Sequence, residues 1–219
     1  MQHARFVSGE VFPQPISKVV CVGRNYAEHA KELNNPVPTT PILFIKPNSA
    51  VVPMAPEFAL GGEGAEVHYE AELAILVGQR LSRATPEAAR AAIAGLGLAL
   101  DLTLRDVQSD LKSKGLPWEI AKSFDGACPL SDFVPYQGQD MTALEYRFYL
   151  NGELRQHGQT SDMLNPILPL IAHMSSHFTL LPGDVILTGT PKGVGRLHRT
   201  DALVFESNFG VQLQTRLSG

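Results

Sequence analysis

Two glutamates one residue apart, Glu70 and Glu72 in the run His68-Tyr69-Glu70-Ala71-Glu72-Leu73, lead into an apolar stretch, 73–77, that ends at Gly78. Strand side chains alternate faces, so both carboxylates point to the same side and lie close together. Carboxylates forced together repel, and one usually has to bind a proton or a cation. A third acid, Asp101, interrupts the apolar stretch 96–102. Aspartate is a poor strand former and is rarely buried alone. Three acids in such positions suggest a hard divalent metal site, since oxygen-only ligands suit Mg2+, Mn2+ or Ca2+ rather than zinc or copper. On octahedral Mg2+ they leave about three positions open, enough for a substrate to chelate through two oxygens. By spacing alone, two exposed acids at a strand edge plus a helix-preceding Asp101 fit the pattern equally well.

A second constellation lies in Gly23-Arg24-Asn25-Tyr26-Ala27-Glu28-His29-Ala30-Lys31-Glu32-Leu33. Asn25 with Glu28 reads as an N-cap pair, which leaves His29 and Glu32 three apart on one helical face. A carboxylate there can fix the imidazole tautomer and raise its basicity, giving a general base for water. Taken alone, an exposed histidine beside a glutamate is the plainer reading. The Pro-punctuated segment that follows, up to Pro41, predicts a lid around 25–41.

Lys122 follows the apolar turn of Trp118-Glu119-Ile120-Ala121. It either snorkels to the surface or reaches the metal pocket, where it would neutralise an anionic substrate or a developing enolate. At 183–195 an apolar strand runs into a glycine-rich loop with hydroxyls, suited to holding a carboxylate or phosphate by backbone amides. This loop fits neither the Walker pattern nor the dinucleotide fingerprint, and a plain turn accounts for it as well.

These residues need elements to position them. Strand-like runs occur at 18–22, 42–45, 67–77, 96–102, 145–150, 153–156, 185–188, 203–206 and 211–217, with Asn151-Gly152 as a two-residue hairpin turn. Helices are predicted after Thr85-Pro86 over 87–94, over 104–114 with Thr103 and Asp106 as a capping box, and over 165–178. Strands outnumber helices without regular alternation, which predicts a β-rich α+β fold. The 219 residues suit one domain, 1–219, and 44% hydrophobic with 18% charged residues reads as globular. A net charge of −4 without a basic cluster argues against nucleic acid as partner. No apolar stretch approaches a membrane span and no signal peptide is evident, so a soluble cytoplasmic protein is expected. Cys21 and Cys128 stand far apart, outside any zinc or disulfide spacing.

The segments VCVGRNYAEHAKEL, PILFIKP, HYEAELAILVG, ALDLTLRDVQ, GLPWEIAKSFDGACPLS, NGELRQ and LTGTPKGVG, in this order, resemble the fumarylacetoacetate hydrolase family. The likeness is strongest to its small single-domain acylpyruvases. It implies a mixed β-sandwich roll, a homodimer, and Mg2+ or Mn2+ held by Glu70, Glu72 and Asp101. It implies His29 and Glu32 as a water-activating dyad on the lid and Lys122 beside the metal. Arg24, Arg105, Gln108 and Thr190 would bind the 2-oxo acid substrate. One departure is His68-Tyr69, where many relatives carry His-His. The function so implied is hydrolysis of a carbon–carbon bond in 3-acylpyruvates such as fumarylpyruvate or acetylpyruvate, giving pyruvate and a carboxylic acid. The alternatives are oxaloacetate decarboxylation or isomerisation of unsaturated 2-oxo or 2-hydroxy dicarboxylic acids on the same enolate. A non-enzymatic metal- or anion-binding domain is a third reading.

Overall fold

In the computed structural model, which describes residues 1–33, 36–62 and 65–218, the apolar runs assemble into a mixed eight-stranded sheet. Its order is Ile42–Pro47, Lys18–Gly23, Val185–Leu187, Ala71–Val77, Ile93–Leu100, Cys128–Leu130 and Val51–Pro53, and Val134–Pro135 also pairs with Ile93–Leu100. Both faces are covered: Leu73, Ile75 and Val77 enter the larger core, Ala74 and Leu76 a second one. Burial on both sides explains why these strands read as unbroken apolar runs rather than alternating ones. The second face carries small residues, Cys21, Ala74, Ala99 and Cys128, and its continuation is where the acids lie.

A five-stranded sheet, Glu153–Gln159, Glu145–Leu150, Ala202–Ser207, Gln212–Ser218 and Glu57–Ala59, packs beside it. Tyr146 Oη of this sheet donates to Ala71 O of the larger one at 2.9 Å, and Phe148 packs between Phe205 and Tyr69 of the strand Val67–Tyr69, with ring centroids 4.8 and 4.9 Å apart. Asn151 and Gly152 take φ of 53° and 82° between paired Leu150 and Glu153, the left-handed pair that a tight hairpin needs. A three-stranded sheet of Thr103–Leu104, Val67–Tyr69 and Gly195–Arg196 closes the site end. The β-rich α+β expectation holds, as does the roll implied by the resemblance. Among the described residues no helix is long and apolar enough to cross a membrane.

Several boundaries differ for physical reasons. The 67–77 run divides at Glu70, because Val67–Tyr69 pairs in the small sheet and Ala71–Val77 in the large one. Helix Pro86–Ala91 stops before 94, since Ile93 already pairs with Val77. Its predicted cap is present, with Thr85 Oγ1 accepting from Ala88 N at 3.3 Å. The expected N-cap pair of Asn25 and Glu28 is not: Tyr26 precedes helix Ala27–Glu32, and Glu28 pairs with Lys31 on the surface. Thr103 does not cap helix Arg105–Ser113 either, because its hydroxyl serves Asp101 and Lys122 instead. Within the expected lid at 25–41, Asn34 and Asn35 lie outside the described residues.

Candidate functional site

Strand register builds the acidic cluster. Ala71 pairs with Leu100 and Glu72 with Ala99, and Asp101 N donates to Glu70 O at 2.8 Å. Glu70, Glu72 and Asp101 therefore emerge on one face of one antiparallel pair. All three are at most 5% exposed, and a ligand oxygen from each lies within 4.8 Å of the others. The peptide of Ala71 between the two glutamates is held from three sides. Its N–H donates to Gln156 Oε1 at 2.9 Å, and its carbonyl accepts from Tyr146 Oη and Thr190 Oγ1, each at 2.9 Å.

Cationic side chains compensate two of the acids. Lys122 Nζ lies 2.8 Å from both Glu70 Oε2 and Asp101 Oδ2 and donates to Thr103 Oγ1 at 2.7 Å. Arg105 Nη2 reaches Glu70 Oε1 at 2.5 Å, while Nη1 donates to Gln108 Oε1 at 2.7 Å. Lys46, wholly buried, brings Nζ within 2.8 Å of Asp101 Oδ1 but aims its hydrogen bonds at the carbonyls of Lys122 and Leu102. Asp101 Oδ1 is thus beside a charge without an aligned donor. Glu72 pairs with no cation among the described residues, and the Gly189 amide donates to its Oε2 at 2.6 Å.

The electrostatics follow. Burial raises the Glu70 carboxyl, but Lys122 and Arg105 outweigh it and hold it well below the usual carboxylate range. Burial pushes the Glu72 carboxyl far up, and Asp101 and Glu70 push it further. Burial works against the Lys122 charge, yet Asp101 and Glu70 raise its pKa and keep it an ammonium. A buried carboxylate without a cation, an oxygen without an aligned donor and an all-oxygen donor set fit a hard divalent ion. Glu70, Glu72 and Asp101 would hold it.

The structure brings the other expected residues to the same cleft, which is lined by Arg24, His29, Arg105, Gln108, Lys122 and Thr190. His29 is buried, with Nδ1 3.3 Å from Glu32 Oε2. Glu32 Oε1 in turn accepts from Gly193 N at 2.9 Å, tying helix Ala27–Glu32 to the glycine-rich loop. Asn25, misread as a cap, anchors the base of this helix: its Nδ2 donates to Thr188 O at 2.8 Å and its Oδ1 accepts from Asn165 N at 2.8 Å. Arg24 takes a left-handed backbone, φ 61°, a strained conformation that concentrates at functional sites. Thr190 Oγ1 also accepts from Gln156 Nε2 at 2.7 Å.

Gly193 has φ of 100°, and a Cβ there would meet the Arg155 carbonyl oxygen at 1.9 Å. Gly193→Ala is therefore expected to cost at least about 1–3 kcal/mol from backbone strain. It should also withdraw the amide from Glu32. Thermal unfolding checks the first effect, and a lower kcat with unchanged Mg2+ affinity the second.

Reading the sequence missed Lys46, Lys112, Trp118 and Gln156, while the glycine-rich loop expected to hold a carboxylate by its amides does so at Gly189, for the protein's own Glu72. Lys46 carried the same signal as Asp101, an ionisable residue ending an apolar strand run, 42–45. The others sit where packing, not local pattern, puts them.

The model for the C-terminal domain of fumarylacetoacetate hydrolase matches residues 18–216. The chain is 50% identical over 212 residues to the oxaloacetate tautomerase YcgM of Escherichia coli, covering 95% of this chain and 96% of that protein. It is 46% identical over 187 residues to the mitochondrial oxaloacetate tautomerase FAHD1 of Homo sapiens, covering 84% of each. Among solved structures it resembles a fumarylpyruvate hydrolase from Pseudomonas aeruginosa in complex with Mn2+ and pyruvate. That likeness has a TM-score of 0.89 at 32% identity and covers 98% of this chain and 94% of that one. A family model over nearly the whole chain, close relatives and a shared fold agree with the cleft's residues: this chain belongs to the fumarylacetoacetate hydrolase family.

Proposed function

We propose that this chain is an Mg2+- or Mn2+-dependent enzyme that interconverts the keto and enol forms of oxaloacetate. The observation that carries this reading is the 50% identity across 95% of the chain to an oxaloacetate tautomerase. The charge of the cleft supports it. The three acids stand against Lys46, Lys122 and Arg105, so a bound divalent ion and the further lining cations suit a dianion rather than a neutral ligand.

Tautomerisation moves one proton: a C3–H bond breaks, an O–H bond forms on the C2 oxygen, and no co-reactant is needed. When bound, the divalent ion supplies Lewis-acid polarisation of the 2-oxo acid. Glu32 holds His29 Nδ1, which leaves Nε2 as the basic nitrogen. His29 takes the C3 proton and, as imidazolium, returns it to the oxygen. Lys122, kept protonated by Asp101 and Glu70, offsets the negative charge of the enolate. Arg105, fixed by Glu70 and Gln108, sets the position of Glu70.

One observation favours a second reading, the carbon–carbon hydrolysis expected from the sequence. The pair of buried His29 and the more exposed Glu32 is also what activation of water requires, and the fumarylpyruvate hydrolase shares the fold. Following the ultraviolet absorbance of enol-oxaloacetate, with pyruvate release from acetylpyruvate in parallel, separates the two. His29→Ala is expected to lower tautomerase kcat by about 10²–10⁴-fold with Mg2+ affinity retained. Pyruvate release from acetylpyruvate, with enol decay no faster than in buffer, would replace the tautomerase by the hydrolase. The homodimer and the cytoplasmic setting expected from the sequence belong to the same proposal, and sedimentation of the purified chain tests the first.

A further inference from the structure

Arg105, Gln108 and Lys112 stand at i, i+3 and i+7 of helix Arg105–Ser113, and all three line the cleft. That spacing puts them in one stripe along the helix. The first two are engaged, Arg105 with Glu70, Gln108 and His68, and Gln108 with Arg105. Lys122 and Lys46 likewise spend their ammonium groups on the acids and carbonyls around them. Lys112 differs. It is half-buried with Nζ 5.2 Å from the centre of the Trp118 ring, and among the described residues no carboxylate stands within ion-pairing distance of it. An ammonium on an aromatic face keeps its charge available and is held in place by the ring.

We infer that Lys112, seated on Trp118, binds the substrate carboxylate remote from the metal-chelating end and so selects 2-oxo dicarboxylates over monocarboxylates. The inference rests on the proposed function, because it takes the 1-carboxylate and 2-oxo group as the end held at the acids. The distal carboxylate then needs a cation in the same cleft that the protein has not already neutralised. Lys112 supplies it at the far end of the helical stripe.

The surroundings tune this group. Burial and the neighbouring charges of Arg24 and Arg105 lower its pKa to about 8, Lys122 acts in the same direction, and Glu70 opposes them. Lys112 therefore loses its charge on a mild rise above neutral pH, and a bound carboxylate would hold the proton on.

Calorimetric titration of the Mg2+-loaded protein with malate and with lactate tests the inference without turnover. The two differ only by the distal carboxylate, and neither has a keto group to tautomerise. Wild type is expected to bind malate about 10- to 100-fold more tightly than lactate, the range for a charge-assisted hydrogen bond. Lys112→Met should erase that preference while leaving lactate affinity unchanged, and Lys112→Arg should restore it. Malate affinity should fall as pH rises through about 8 in wild type and stay level in Lys112→Arg. A preference for malate that survives Lys112→Met overturns the inference, as does its absence in wild type. A chain that prefers malate through Lys112 yet leaves enol-oxaloacetate untouched would overturn the tautomerase reading alone.

Discussion

Glu72→Gln is expected to abolish Mg2+ binding and turnover while raising, not lowering, the melting temperature of the EDTA-treated protein. Removing a buried charged side chain usually destabilises, because its partner is stranded. Among the described residues no cation is in ion-pair contact with Glu72, Lys122 acting on it only at longer range, and its side-chain hydrogen bond comes from the Gly189 amide, which a glutamine oxygen accepts equally well. What the substitution removes is the repulsion from Asp101 and Glu70 and the cost of burying an anion. A gain on the order of 1 kcal/mol is expected, as when a buried charge is replaced by a neutral group of its own shape. With Mg2+ the order should invert. A ligand at 100 times its Kd adds about 2.7 kcal/mol to wild type and nothing to a variant that does not bind it. Melting curves of both proteins in EDTA and in Mg2+ decide the matter. Destabilisation of the EDTA-treated variant would mean that Glu72 has a stabilising partner and is not held for a cation.

The same carboxyl sets a pH dependence whose sign can be worked out. Its pKa is raised in the folded protein by burial, Asp101 and Glu70. The folded chain therefore binds more protons than the unfolded one, from the ordinary glutamate range up to the raised value, and stability falls with pH across that window. The contribution is fully present below the unfolded pKa and lost as pH rises through the folded one. Glu70 works oppositely: Lys122 and Arg105 hold its pKa down, so its contribution is present above the ordinary range and lost as pH falls through its folded value. In EDTA, Glu72→Gln should remove the downward slope and leave the Glu70 slope in place.

The acids were legible because a charge in an apolar run has few uses in a folded chain. Glu70, Glu72 and Asp101 stood out for that reason, and register alone then brings them together. Lys46 broke the same rule in 42–47 without being recognised, since a lone lysine can snorkel where a lone aspartate cannot. Asn25 and Thr103 were misread for the opposite reason. Each fits a local capping pattern, but the tertiary structure spends its polar atoms on Thr188 and Asn165 in one case and Lys122 in the other. Lys112 and Trp118 meet only once helix Arg105–Ser113 packs beside Glu119–Lys122, a pairing that no periodicity encodes. The function was legible only to the level of a pyruvate-type enolate. Hydrolysis and tautomerisation need the same acids, lysine and base, so the sequence favoured the first, and the relatives support the second better.

Lys122→Met tests the other half of the charge balance and should behave as the mirror image of Glu72→Gln. The Lys122 ammonium bridges Glu70 and Asp101, both buried, and donates to Thr103 as well. Methionine fills a similar volume without charge, leaving one carboxylate to Arg105 and the other to Lys46. Breaking a buried ion pair from one side costs about 3–5 kcal/mol. For a chain of this size 1 kcal/mol moves the melting temperature by about 2–4 °C, so a fall of roughly 6–20 °C is expected in EDTA. Mg2+ should recover part of it, because a divalent cation among Glu70, Glu72 and Asp101 offsets the same repulsion that the ammonium did. Turnover should not recover with it, since the charge facing the enolate stays lost, and kcat is expected to remain about 10²–10³-fold down at saturating Mg2+. Stability and catalysis therefore separate in this one variant. A Lys122→Met protein whose kcat returns with its stability would reduce Lys122 to a structural counter-ion and leave stabilisation of the enolate to the metal alone.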